Sequence, residues 1–414
     1  MKIYHNLCEN GYILTGFWGV YTLSSKVFDT LDPELPVVRR MVREFAEKHI
    51  EPNARIIDRD NVIPDDILRL LGEMGYTSMR VPEEYGGPGF TLLQTAVVAE
   101  ELSRASSGVG ILATVSGDMV AYPITEYGTA EQKEKYLTIL AKGGIGAFAL
   151  TEPCCGSDAA SLTTKAVLDG DEYVVTGRKT FITNAVYADF FLVAARTGKP
   201  EERHRGISLF LVDKSPCVEV SKLDMMGYRG SGTGEVLFNE CRVPRENLVG
   251  EEGVGFKIAM MALNEGRIVT AATGLGVAQA AFEDALKYSR TRTSMGVPII
   301  EHQMVTSHLA DMLVKLESIR SLIYTAAWKA WQGDTDYIRM ASMAKYAAAN
   351  WGTDIVRLAM QVHGGFGYSR ESRVERLYRD IKMIEIGDGT NEIQKLVIVR
   401  ALTGRVKPFK PKRE

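Results

Sequence analysis

Apolar and polar residues recur along this chain with two different periods, and the period changes twice. From residue 34 to 140 the spacing is helical. Val38, Met41, Val42 and Phe45 stand at i, i+3, i+4 and i+7, which lines one helix face. Pro36 suits the first turn of that helix. PDDILRLLGEMG closes on Gly75, a residue fit for a helix C-cap. LLQTAVVAEELSRAS and AEQKEKYLTILAKG read the same way, and RVPEEYGGPGF reads as a loop. From 145 to 250 the runs shorten. TTKAVLDGDEYVVTGRKTFITNA carries a Gly-Asp turn between β-rich stretches, and DFFLVAART, GISLFLVDK and GEVLFNECRV continue as short strands. From 254 to 403 long helical patterns return, rich in Ala and Gly. The order predicts an α+β multidomain chain: an N-terminal all-α domain over 28–144, a middle β-barrel or sandwich over 145–252, and a C-terminal four-helix bundle over 253–405. Residues 1–27 form an extension of unassigned role and 406–414 a basic tail. A cleft where such domains meet is the usual place for a ligand.

Composition narrows the function classes. The 414 residues are 45% hydrophobic and 24% charged, which suits a soluble globular protein. A net charge of −3 gives no reason to expect nucleic acid or an anionic membrane surface as partner. GYILTGFWGVYTL (11–23) is too short to span a bilayer. The five cysteines (Cys8, Cys154, Cys155, Cys217 and Cys241) are odd in number and include no C-x-x-C, which argues against a disulfide framework or zinc site and for a reducing cytoplasm. No metal is expected.

Five stretches carry candidate chemistry. ALTEPCCGSD (149–158) places Thr151 and Ser157 on either side of a turn that could present hydroxyls and backbone N–H groups to a polar ring or phosphate. GRKTFITNA (177–185) puts Phe181 and Thr183 on one face of a strand, an aromatic and a hydroxyl suited to a flat heterocycle. MGYRGSGTGEVLFNECRVPRENLVGEEGVGF (226–256) supplies tight turns. NEGRIVTAA (264–272) sets Arg267 in an otherwise apolar helix, where a cation needs a carboxylate or phosphate. QVHGGFGY…GDGTNEIQ (361–394) allows close backbone approach at its glycines. Taken singly, each has a bland reading: a junction loop, a core Phe beside a surface Thr, an exposed acid on a Gly-Asp-Gly turn.

Six ordered stretches (VPEEYGG, LTEPCCGSD, GRKTFITNA, MGYRGSGTGEVLFNECRVPRENLVGEEGVGF, RTRTSMGVPIIEHQ and QVHGGFGY…VERLYRD…GTNEIQ) together resemble the acyl-CoA dehydrogenase family from about Phe28 to Arg405. The resemblance implies FAD, an acyl-CoA thioester, a homotetramer, and electron transfer flavoprotein as acceptor. It implies that Thr151 and Thr183 bond the flavin ring, that Phe181 covers one flavin face, and that Ser157 lies near the pyrophosphate or CoA. Arg292, Met295, Gln303, Gln361 and Gly365 would hold the dinucleotide, partly from a neighbouring subunit. Thr390 and Glu392 would bind FAD, and Arg267 and Asn264 the CoA side. A carboxylate would take an acidic proton near the thioester carbonyl, in an apolar cleft that raises its pKa.

The chain departs from the family pattern at the base. The usual Tyr-Glu-Gly-Thr is Gly387-Asp388-Gly389-Thr390. Asp is shorter than Glu by roughly 1.3 Å of bond geometry, and Gly387 removes an aromatic beside it, so an opening is expected there. The alternative family position for a Glu, just before the arginine of NEGR, is Gly266. Asp118, in ATVSGDMVAYPI along the expected acyl pocket, is then a second candidate acid. A base moved to Asp118 suits a cyclic, unsaturated thioester, as in the alicyclic branch typified by cyclohex-1-ene-1-carbonyl-CoA dehydrogenase. An aliphatic acyl-CoA dehydrogenase using Asp388, a nitroalkane-oxidase-like flavoenzyme and a DNA-associated flavoprotein are the competing readings. Thioester binding, and salt-sensitive duplex binding, would separate the last two. Cys154 and Cys155 replace the small residues usual in the flavin loop and read as inert packing.

Overall fold

The computed structural model describes residues 28–405, so the apolar segment 11–23 and the tail 406–414 lie outside it. Helix α1 (Leu35–Phe45) starts with Pro36 in its first turn and buries Val38, Val42 and Phe45, whereas Met41 faces outward. α2 (Ala54–Asp60) and α3 (Asp65–Glu73) follow, and Gly75 takes the left-handed conformation (φ 72°) just past α3. α4 (Leu92–Ala105) opens on a capping box in which Thr91 and Gln94 satisfy each other's backbone N–H. α5 (Ser107–Thr114) runs through a wide turn, Val115–Val120, into α6 (Ala121–Tyr127). Such one-turn widenings of a helix are frequent at functional sites.

The middle region is one connected eight-stranded sheet. Its strands are β1 (Gly146–Ala149), β2 (Lys165–Asp169), β3 (Glu172–Ile182), β4 (Phe190–Arg196), β5 (Ile207–Asp213), β6 (Val218–Lys222), β7 (Gly234–Pro244) and β8 (Leu248–Val249). The order is β6-β7-β3-β2-β4-β5-β8, with β1 beside β4. Most neighbouring strands pair antiparallel, but β1 and β2 meet β4 in parallel. β3 slips register against β7 between Lys179 and Ile182, and Phe181 there has φ 57°. That bulge turns Phe181 out of the sheet.

α7 (Gly255–Thr291) is 37 residues long, about 55 Å at 1.5 Å per residue. It packs with α8 (Gln303–Trp331) and α9 (Tyr337–His363) in the C-terminal bundle, and the last helix, α11 (Asn391–Leu402), packs on α9; α10 (Arg373–Ile381) lies between α9 and α11 in sequence. One apolar core joins the three regions, with Val120, Leu211, Ile268 and Ala326 in one cluster. A buried polar lock ties α4 to the bundle: Glu100 accepts from Arg320 at 3.0 Å and from Tyr324 at 2.5 Å. Close approach of α7 to α4 depends on Gly276, where a Cβ would sit 2.1 Å from the Glu100 carbonyl oxygen. Among the described residues no helix is long and apolar enough to cross a membrane.

The cysteines correct the sequence reading. Cys217 pairs with Cys241, staple-like between the start of β6 and β7, and Cys154 pairs with its neighbour Cys155. Counting rules built on spacing overlooked an adjacent pair and a cross-strand pair. The argument from cysteine usage to a reducing compartment falls with it.

Candidate active site

A cavity of about 290 Å³ opens where the sheet, the wide turn and the bundle meet. The loop after β1 delivers Thr151, Gly156 and Ser157, and the end of β3 Phe181 and Thr183. The fourth turn of α7 delivers Arg267, and the turn before α11 delivers Asp388 and Gly389. Six of the residues singled out from sequence (Thr151, Ser157, Phe181, Thr183, Arg267 and Asp388) therefore share one wall-to-wall space.

The flavin implied by the sequence fits this chamber. Phe181 is 60% exposed and not a core residue, because the bulge holds its ring in the cavity. A Cβ at Gly156 would meet nothing within 4 Å, so the loop backbone leaves open room for a ligand. Thr151 and Thr183 are half-buried hydroxyls on the same wall. Arg267 is 5% exposed; its Nη1 donates to Asn264 while its Nε has no hydrogen-bond partner, a buried donor facing an anionic or carbonyl ligand. Burial pushes Arg267 down to about 10, with the Asp388 charge opposing.

The other dinucleotide candidates lie elsewhere. Arg292 caps the C-terminal end of α7, Met295 tops the two-residue ribbon after it at 93% exposure, and Gln303 begins α8. Gln361 and Gly365 lie at the exposed end of α9. None of these five lines the cavity. Thr390 and Glu392 also sit outside it: Thr390 caps α11 by accepting from the Ile393 N–H, and Glu392 is exposed in the first turn.

Asp388 is held in place by residues the sequence did not flag. Its backbone is left-handed (φ 52°), a conformation Asp tolerates better than most residues. The Thr270 hydroxyl, one turn beyond Arg267 on α7, donates to its Oδ2. Lys345, fully buried on α9, donates to the Gly389 carbonyl at 2.7 Å, and Gln394 donates to the same oxygen at 2.8 Å. Burial pushes Lys345 down to about 8, chiefly against the Asp388 charge. Lys345 was not legible because it falls in the Ala-rich run MAKYAAAN, where a lysine reads as a solvated position. Lys345→Met is expected to keep or raise thermal stability, since an apolar isostere removes a buried charge. Turnover should fall by about tenfold or more as the acid-bearing turn loses an anchor; a melting curve beside a kcat measurement checks both halves.

Two expectations about this turn are corrected. Gly387 does not line the cavity and leaves no opening beside the acid: a Cβ there would lie 2.6 Å from the Met383 sulfur, so the thioether fills the space. Asp118 does not face the cavity either. Its neighbours Val115 and Met119 line the wall, while Asp118 is fully buried behind them, 3.5 Å from Arg80. Arg80 also holds Glu265 at 3.1 Å. Neither Asp118 oxygen has a hydrogen-bond partner. Burial drives its pKa upward against the pull of Arg80, and the charges of Glu265 and Asp388 add to the rise. Such a group favours folding below its ordinary range, and that contribution is lost as pH rises through its elevated value.

Beneath the flavin loop lies a second pair that sequence did not expose. Lys179 and Glu152, both inaccessible, meet at 2.8 Å, and Lys179 also donates to the Leu150 carbonyl at 3.0 Å. Both pKa values are shifted downward, for different reasons. Burial lowers Lys179 to about 8, more than Glu152 restores, whereas Glu152 is lowered to about 2 because it collects Lys179, Thr163 and Thr164 as donors against its own burial. The carboxylate is the better-satisfied member. It is close to Cys154 and Cys155, but these bonds commit it and leave it little capacity as a metal ligand.

Comparison with known proteins agrees with this arrangement. Residues 32–144, 147–241 and 253–403 match, in order, the acyl-CoA dehydrogenase N-terminal, middle and C-terminal domains. The chain is 42% identical over 371 residues to a short-chain-specific acyl-CoA dehydrogenase of Clostridium acetobutylicum, covering 89% of this chain and 97% of that protein. It is 40% identical over 369 residues to a 3-(aryl)acrylate reductase of Clostridium sporogenes, covering 88% and 97%. The butyryl-CoA dehydrogenase structure from Megasphaera elsdenii superposes with a TM-score of 0.87 at 38% identity, over 89% of this chain and 98% of that one. Three domain matches in sequence order, around a chamber with a displaced aromatic, paired threonines and an opposed acid, place the chain in the acyl-CoA dehydrogenase family, whose members are FAD-dependent oxidoreductases.

Proposed function

We propose that this enzyme removes a proton and a hydride from adjacent carbons of a short acyl-CoA thioester, with Asp388 as the base. The observation that carries the reading is that Asp388, and not Asp118, lines the chamber shared with Phe181 and Arg267. Bound FAD supplies the hydride acceptor. Thr151, Phe181 and Thr183 orient the ring, Ser157 lies toward the pyrophosphate or CoA, and Asn264 and Arg267 lie toward the CoA thioester. Val115, Met119 and Leu263 keep water from the acyl carbons. Asp388 accepts the proton at its carboxylate, and Thr270 fixes which oxygen is free to do so.

Arg292, Met295, Gln303, Gln361, Gly365, Thr390 and Glu392 belong to the same proposal as dinucleotide ligands. The exposure of the first five fits a homotetramer in which they reach a neighbour's cofactor. Electron transfer flavoprotein is the proposed acceptor.

A second reading keeps the cyclic substrate and the moved base. Asp118 is buried, without a hydrogen-bond partner, and one residue from the cavity-lining Met119, and a 3-(aryl)acrylate reductase is among the similar proteins. Anaerobic bleaching of the flavin by butyryl-CoA and by cyclohex-1-ene-1-carbonyl-CoA decides between the two. Faster bleaching by butyryl-CoA is expected; faster bleaching by the ring substrate would sink the first reading. Phe181→Ala is expected to weaken FAD affinity by about tenfold, given the stacking an aromatic contributes, as read by flavin fluorescence titration.

A further inference from the structure

Cys154 and Cys155 stand on the turn that joins two stretches of the cavity wall, Leu150–Thr151 and Gly156–Ala160. Reciprocal backbone bonds close the turn: the Glu152 N–H donates to the Cys155 carbonyl at 3.3 Å and the Cys155 N–H returns to Glu152 at 3.0 Å. Cys154 is exposed and Cys155 is 6% exposed. The Cys154 sulfur lies 3.7 Å from Glu152 Oε2, the residue locked to Lys179 beneath the wall, and the Cys155 sulfur lies 3.1 Å from the Ser161 carbonyl. Inert packing does not account for a paired, half-accessible couple at this place. We propose that Cys154–Cys155 is a thiol–disulfide exchange site open to a small thiol, and that its oxidation state is linked to FAD occupancy of the adjoining chamber.

The chemistry is balanced by two equivalents of thiol. A small thiolate attacks the exposed Cys154 sulfur, the bond between the cysteines breaks, and Cys155 leaves as a thiolate that takes a proton. A second thiolate attacks the mixed disulfide, releasing Cys154 as a thiol and the small molecule as its own disulfide. The protein gains two electrons and two protons; the small thiol is oxidised. The link to the cofactor is mechanical. The closed pair restrains the backbone between Thr151 and Ser157, and a wall already in its binding conformation binds more tightly. Reciprocity then requires bound FAD to oppose reduction by the same factor.

The inference rests on reading the chamber as the flavin site, so the test separates the two. Full-length protein, with and without bound FAD, is equilibrated against graded ratios of reduced to oxidised glutathione, then labelled with a maleimide and mapped at the peptide level. Cys154 and Cys155 should label at lower ratios than Cys217 and Cys241. Removing FAD should lower the ratio needed by about fivefold or more. In the Cys154→Ser/Cys155→Ser double variant, FAD affinity should no longer respond to glutathione. Identical ratios with and without FAD, or no labelling of the pair before the protein unfolds, would overturn the proposal. Unchanged FAD affinity in Phe181→Ala would instead overturn the placement of the flavin.

Discussion

Replacing Asp388 by Asn should lower the rate of flavin bleaching by an acyl-CoA thioester by roughly 10²–10⁴-fold, the range a positioned general base contributes. The substitution keeps the shape of the side chain and can still accept from Thr270, so the protein should fold and hold FAD normally. Asp118→Asn, made beside it, should leave the rate within about threefold, because Asp118 is behind the wall formed by Val115 and Met119. Stopped-flow absorbance at the flavin band reads both variants under anaerobic conditions. The opposite ranking, Asp118→Asn inactive and Asp388→Asn active, would transfer the base to Asp118 and bring the cyclic substrate forward.

Glu152→Gln should be the most damaging of these substitutions for stability. It leaves the Lys179 ammonium buried without its counter-charge, and breaking a buried pair from one side costs about 3–5 kcal/mol. The loop above carries Thr151 and Ser157, so FAD retention should fall together with the melting temperature. The double variant Lys179→Met/Glu152→Gln should recover much of the loss, since no unpaired charge then remains. Differential scanning calorimetry of the single and double variants checks this; equal melting temperatures for Glu152→Gln and the parent would exclude it. pH offers an independent probe. The Glu152 pKa is depressed from 4.5 to about 2 in the fold, so its contribution is present above about 4.5 and is lost as pH falls through about 2.

Much of this was legible beforehand, for identifiable reasons. Helical periodicity found α1 and the long helices of the bundle because their buried faces recur over many turns. Motif order found the chamber because Thr151, Phe181, Thr183, Arg267 and Asp388 lie in local stretches whose turn chemistry is sequential. What could not be read was pairing across distance. Arg80, Asp118 and Glu265 come from three separate segments, and no local pattern announces that they meet. Glu152 and Lys179 lie 27 residues apart, on a loop and a strand. Met383 as the filler beside Gly387 depends on how one flexible thioether packs. The segment holding Asp118 does border the chamber through Val115 and Met119, but the resemblance that places the segment does not say which side chains of the wide turn at 115–120 face inward.

The acid-bearing turn also restricts which side chains positions 387 and 388 accept. A Glu at position 388 would have to occupy the left-handed backbone that Asp388 occupies, at a cost of about 1–2 kcal/mol for a residue without the short side chain's local bonding. An aromatic at position 387 would require the Met383 thioether to move aside. The two positions are therefore coupled to their surroundings in different ways: 388 through its backbone conformation, and 387 through a thioether that must swing aside before a larger side chain fits. The length of the acid at 388 is thus set by backbone geometry as much as by the chemistry it performs, and the acyl end of the chamber takes its shape from the opposite wall, at Val115, Met119 and Leu263.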